Sequence, residues 1–189
     1  MTERLRTPAL MPPPIRVAMP WANDPGEFLT AHYRRVWETR MADLPFVNPA
    51  LDVAAVGFRQ HEGDWVGVMV TPWFLNLFLV SGGGRLWGDI PAGERRYLNL
   101  PCGTLQFIAD DDPDIGPYQY CPLIAPVTGL AGMDAALAAA RDALAALFTP
   151  PAPPPARDAP APAVGTGTAP PGPATAPSRR AFFRRLAGK

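Results

Sequence analysis

The chain is poor in the residues on which most site chemistry is built. Its 189 residues include two histidines and two cysteines. Cys102 and Cys121 form no Cys-x-x-Cys pair, and His32 and His61 stand alone in sequence, so no metal-ligand spacing is present. Nothing signals secretion, which favours free thiols over a disulfide. No serine lies in a nucleophile elbow, and neither histidine has a nucleophile or an orienting acid nearby in sequence, so an enzyme is not expected. The run Gly82-Gly83-Gly84 lacks the Lys-Ser/Thr and the strand-then-helix setting of a phosphate loop. Asp110-Asp-Asp-Pro-Asp114 lacks the glycine and glutamate of a calcium loop. No cofactor or metal is therefore expected. Long apolar runs are missing too: the two in Trp65–Trp87 are broken at Thr71-Pro72 and fall short of the roughly 20 residues of a membrane span. Met1–Pro20 carries Arg4, Arg6 and Arg16 but no apolar signal core, so the expected location is the cytoplasm.

Proline is abundant. There are 26, far above the usual share of about 5 per cent, and they are unevenly placed. Pro150 to Pro177 holds eleven prolines in 28 residues, with Arg157 and Asp158 as its only charges. A segment of that composition buries too little apolar surface to offset its chain entropy, and the expectation is a disordered linker over 150–177. Ahead of it lies one domain, 20–149, preceded by a loose leader, 1–19. The formal charge of zero hides a polarity. Residues 178–189 carry Arg179, Arg180, Arg184, Arg185 and Lys189 without an acid, +5, so residues 1–177 carry −5. A body of that sign offers no basic face to nucleic acid.

Within the domain, Asp24 is placed to cap a helix with Pro25 at its first position and Glu27 three residues after the cap. Phe28, Leu29, Tyr33, Val36, Trp37 and Met41 then recur at helical spacing to about Ala42, leaving His32, Arg34, Arg35, Glu38 and Arg40 to face water. Strands are expected over 53–62, 65–70, 73–80, 95–100, 104–109 and 118–124, with Gly63-Asp64 as the first hairpin turn. An alanine-rich helix, Met133–Phe148, closes the domain, its apolar stripe marked by Leu137, Leu144 and Phe148. Short connections between adjacent strands point to an antiparallel sheet with both helices on one face, an α+β domain. Trp73, Phe74 and Trp87 beside the Thr71-Pro72 break either fill the core or line a groove. The acidic stretch is either a solvated connection or a charged site.

The C-terminus reads Ser178-Arg179-Arg180-Ala181-Phe182-Phe183-Arg184. It resembles a twin-arginine export motif, yet no apolar region follows it before Lys189, so it is not itself expected to act in export. A basic tail for anionic surfaces is the other reading. Six strings in order, Leu44-Pro-Phe-Val-Asn-Pro-Ala-Leu51, Trp65-Val-Gly-Val-Met-Val-Thr-Pro-Trp73, Leu86-Trp87, Leu100-Pro-Cys-Gly-Thr104, Gly116-Pro-Tyr118 and Cys121-Pro-Leu-Ile-Ala-Pro126, resemble the HybE/HupJ assembly chaperones of nickel-iron hydrogenases. That resemblance implies a cytoplasmic chaperone with an α+β sheet like that of type III secretion chaperones. The implied partners are the hydrogenase small subunit with its twin-arginine signal peptide, and through it the large subunit; the runner-up is a scaffold bridging the subunits without leader recognition. On this reading Asp110, Asp111, Asp112 and Asp114 receive the arginines, while Thr71, Pro72, Trp73, Trp87 and Tyr118 receive the apolar residues that follow. Ser178, Arg179, Arg180, Phe182 and Phe183 then resemble a tethered competitor for the same site.

Overall fold

The computed structural model describes residues 14–150. Helix α1, Gly26–Val36, opens one residue later than the capping signal suggests: Pro25, not Asp24, is the N-cap, its carbonyl accepting from Leu29 N–H at 2.9 Å, while the Asp24 carboxylate just ahead of it accepts from the Gly26 N–H at 2.8 Å. It continues through a π-helical turn, Trp37–Met41. Strands β1 (Ala54–His61), β2 (Asp64–Val70) and β3 (Leu75–Val80) form one meander, and β4 (Arg95–Leu100), β5 (Gly103–Asp112) and β6 (Gly116–Ile124) form another. The two join along β3 and β6 into one six-stranded antiparallel sheet of order β1-β2-β3-β6-β5-β4. A 3₁₀ turn, Val127–Gly129, leads into α2, Met133–Leu147. This is the α+β architecture expected, and no helix among the described residues is long and apolar enough to cross a membrane.

The helices, however, do not share a face. Val66, Val68, Leu77 and Leu79 pack with Ala136, Ala140, Ala143 and Leu147 of α2, whereas Met69 and Phe78 pack with Leu29 and Tyr33 of α1. The reason lies in β2 and β3, whose residues from Val66 to Val70 and from Leu75 to Val80 are all buried. A strand covered on one side alternates apolar and polar residues; these runs do not alternate, and each needs a layer on both sides. The stripe of α2 also differs from expectation. The alanines face the sheet, while Leu137, Leu144 and Phe148 pack at the margin. At that margin it is a strand residue without a side chain that makes room: a Cβ on Gly57 would stand 2.7 Å from Leu144 Cδ1.

The first hairpin turns one residue earlier than the sequence suggested. His61 pairs with Asp64, and Glu62 and Gly63 both take positive φ, the backbone a two-residue turn of this kind requires. That frees Asp64 for another task. Fully buried, it accepts hydrogen bonds from the backbone N–H groups of Gly82 (2.8 Å), Gly84 (2.9 Å), Leu86 (2.8 Å) and Trp87 (2.7 Å). The glycine run folds back on the first hairpin so tightly that a side chain at Gly82 would collide with the Gly63 carbonyl. Its role is therefore structural. From there the chain crosses the α2 face, where Leu86 and Trp87 pack on the core and the Gly88 carbonyl accepts from Gln119 Nε2 at 2.8 Å.

Candidate functional site

On the α1 side the sheet is only partly covered. Strand register places Arg95, Ile108, Tyr120 and Phe78 in one row across β4, β5, β6 and β3, and Asp110 beside Tyr118. Their neighbours Leu98, Leu105, Phe107 and Cys121 point to the other face and are buried. Tyr118, Tyr120, Ile108 and Gln106 are half-buried, and Tyr97, which accepts a hydrogen bond from Gln106 Nε2 at 2.7 Å, is 67% exposed. Helix α1 packs on the β1 side and meets β6 through the cluster that Tyr118 and Tyr120 join, leaving β4, β5 and the outer part of β6 as a half-covered floor.

An aromatic chain runs from α1 onto this floor. Trp37 stacks on Trp73 at 6.0 Å between ring centroids, Trp73 meets Tyr33 at 6.3 Å, Tyr33 meets Phe78 edge-on at 5.9 Å, and Phe78 stacks flat on Tyr118 at 5.1 Å. Tyr118 carries the chain to the acids by donating from its hydroxyl to Asp110 Oδ2 at 2.9 Å. Burial pushes the phenols of Tyr33 and Tyr118 above the ordinary tyrosine range, and the carboxylates nearby push the same way.

The acidic stretch is the tight end of the β5–β6 hairpin, with each carboxylate engaged. Asp111 pairs with Arg16 at 3.0 Å. Asp112 Oδ1 accepts from the N–H groups of Asp114 (2.8 Å) and Ile115 (3.0 Å), fixing the turn. Asp114 lies 3.8 Å from Arg35. Residues 16–18, expected within the leader, lie against this end of the molecule: besides the Arg16 contact, the Ala18 N–H donates to Asp89 Oδ1 at 3.0 Å. The 16–24 segment and Asp114–Pro117 enclose a cleft of about 420 Å³.

His32 departs most from its expectation. It was predicted to face water, yet it is 5% exposed, because the β5–β6 turn folds over the margin of the α1 stripe. Nor is it alone, since Asp112 Oδ2 lies 3.4 Å from its Nε2 and Asp114 Oδ2 lies 3.5 Å from its Nδ1. No local pattern signals this contact, as eighty residues separate the histidine from the acids.

The residues predicted to receive a peptide divide into three groups. Trp73, Tyr118 and the four aspartates lie on the α1 side or at its hairpin end. Trp87 lies on the α2 side and does not join Trp73. Thr71 and Pro72 are buried. The Thr71 hydroxyl accepts from Trp73 N–H (3.3 Å) and Phe74 N–H (3.0 Å), and the Pro72 carbonyl accepts from Asn48 N–H at 2.7 Å. These two residues hold a turn and are closed to a ligand. Tyr97, Gln106, Ile108 and Tyr120 were not among them, although alternation in β4, β5 and β6 carries them. The tail residues Ser178, Arg179, Arg180, Phe182 and Phe183 lie outside the described residues.

A family model described as "[NiFe]-hydrogenase assembly, chaperone, HybE" matches residues 24–185. The chain belongs to this family. Among HybE-type relatives, the Hydrogenase expression/formation protein HupJ of Bradyrhizobium diazoefficiens is 39% identical over 139 residues, 74% of this chain and 78% of that protein. The Probable rubredoxin HupJ of Rhodobacter capsulatus is 41% identical over 95 residues, 50% of this chain but only 34% of that longer protein. The solution structure of HybE from Escherichia coli shares the fold, with a TM-score of 0.57 over 80% of this chain and 96% of that one at 24% identity. Several strings that suggested the HybE family serve the scaffold. The Asn48 side chain in the first string donates to the carbonyls of Val127 (3.0 Å) and Leu130 (2.8 Å), and its backbone N–H donates to the Pro72 carbonyl, so one residue ties its own connection to those after β2 and β6.

Proposed function

We propose that this protein is a cytoplasmic, non-enzymatic chaperone of nickel-iron hydrogenase assembly that binds the small subunit through its twin-arginine signal peptide. The observation that carries this reading is the half-covered aromatic floor of β4, β5 and β6 ending at the carboxylates of the β5–β6 turn. A signal peptide of that type presents two guanidinium groups and then apolar residues, and its chemistry is complementary to such a surface. Guanidinium groups favour carboxylates in forked geometry. Asp111 already holds one arginine of this chain at 3.0 Å, so an incoming arginine would compete with Arg16. Burying one phenylalanine on the tyrosine floor contributes roughly 1.5–3 kcal/mol, against about 0.2–1 kcal/mol for each exposed ion pair. Affinity then comes mainly from the apolar contact and selectivity from the charges.

The full chain should be titrated calorimetrically with the leader peptide of the cognate small subunit and with its Lys-Lys version. The expected result is saturable binding that weakens about 3- to 10-fold in the Lys-Lys peptide, with the difference lost in Asp111→Asn. Tyr120→Ala should weaken both peptides. Equal affinity for both peptides, or no binding to either, would reject leader recognition. In that event a scaffold bridging the folded subunits becomes the working reading, tested by binding of leaderless small subunit.

A further inference from the structure

We propose that His32, Asp112 and Asp114 form a binding site for a divalent transition-metal ion of the zinc and nickel class, joining α1 to the β5–β6 turn. These three residues form a cluster of ligand atoms lying within 4.8 Å of one another among the described residues. An acidic turn alone would not carry this inference; the buried imidazole does. His32 Nε2 is enclosed, has no hydrogen-bond partner among the described residues, and stands 3.4 Å from Asp112 Oδ2.

The separations are those of ligands placed around an ion rather than of directly bonded partners. A charge-assisted N–H···O⁻ bond closes to about 2.7–2.9 Å, whereas the separations here are 3.4 and 3.5 Å. Two ligands on one tetrahedral ion with bonds of about 2.0–2.1 Å stand about 3.3–3.4 Å apart. The Nε2 to Asp112 Oδ2 edge has that length. Moreover, Asp112 cannot turn away, because its Oδ1 is held by the N–H groups of Asp114 and Ile115. Oδ2 is therefore fixed on the ion side. Asp114, which stands beside the other ring nitrogen, is exposed and can rotate toward Nε2 to supply the third oxygen, giving up its 3.5 Å approach to Nδ1 and a 3.8 Å contact with Arg35 that is open to water and worth little. Water completes the shell and supplies the route in. One imidazole nitrogen with two carboxylates selects zinc, nickel or cobalt over magnesium, which favours an oxygen shell.

The full chain, freed of metal by chelation, should be titrated with ZnCl₂, NiCl₂ and MgCl₂ by calorimetry, and its histidine ring nitrogens followed by NMR. Expected is a single saturable zinc or nickel site, absent for magnesium, with the His32 ring signals moving and those of His61 unchanged. Asp112→Asn, which retains the acceptor for the two turn amides, and His32→Gln should each weaken binding at least about tenfold, and His61→Gln should leave it intact. If the His32 variant fails to fold, the exposed Asp114→Asn carries the test with the same expectation. The proposal is overturned by the lack of saturable zinc and nickel binding, by affinities untouched in the Asp112 and Asp114 variants, or by loss of the site in His61→Gln. No peptide enters the experiment, so its outcome is independent of leader recognition.

Discussion

Asp64 shows how one side chain fixes a connection. Each of its oxygens accepts two backbone N–H groups, and all four donors belong to the segment leaving β3. Asp64→Ala leaves those amides without partners next to a core. At about 1–3 kcal/mol for a buried unsatisfied group, the loss should reach roughly 3 kcal/mol or more, read as a lower urea midpoint with unchanged slope. Asp64→Asn separates shape from hydrogen bonding: its amide nitrogen would meet two donors with a donor, so it should cost nearly as much. The buried tyrosines act on stability through pH. Tyr33 and Tyr118 hold their protons above the usual range because burial disfavours the phenolate. Unfolded tyrosines ionise near pH 10. Below that pH the contribution is fully present; above it the native state binds more protons than the unfolded chain, and stability falls as pH rises toward the native values. Urea midpoints measured at pH 8, 9.5 and 11 should fall across the last interval, and Tyr118→Phe should flatten that fall.

At the scale of elements, the prediction concerns α2. Ala140 is fully buried against the sheet, and the helix lies there only because its facing side chains are small. Ala140→Leu should destabilise by about 1–3 kcal/mol through overpacking, while Leu144→Ala at the margin should cost less; thermal denaturation of the two variants ranks them. This interface also marks where sequence reading gave out. All eight regular elements were legible, because the Asp24-Pro25 start of α1, the apolar runs of β2 and β3 and the proline and glycine breaks are local signals. Alanine is both a strong helix former and a small contact residue, and its second role shows only when a sheet lies opposite. In the same way the unbroken burial of β2 and β3 implied two covering layers, but nothing local assigned α1 and α2 to opposite sides. Trp73 and Trp87 were separated for that reason. His32 met its carboxylates through a contact between α1 and a distant hairpin, which no spacing encodes.

For the molecule as a whole the open question is what competes for the β4–β5–β6 floor. The body to Pro177 carries −5 and residues 178–189 carry +5, with twin arginines followed by Phe182 and Phe183, the same chemistry as the proposed ligand. Twenty-eight residues separate the domain from Ser178. The composition of that stretch predicts a coil; one of that length would have a root-mean-square span of about 30 Å, enough to reach any face of a domain this size, and would give effective concentrations up to about the millimolar range. We propose on that basis that a tail of weak intrinsic affinity occupies the floor until a leader with a longer apolar segment displaces it. The consequence is measurable. Truncation after Pro177 should tighten binding of the twin-arginine peptide several-fold, and adding a synthetic 178–189 peptide in trans at millimolar concentration should reverse the gain. Replacing Arg179 and Arg180 by alanine in the full chain should reproduce part of it. Unchanged leader affinity in the truncated chain would mean that the tail does not occupy this surface, leaving anionic membranes or another protein as its partner.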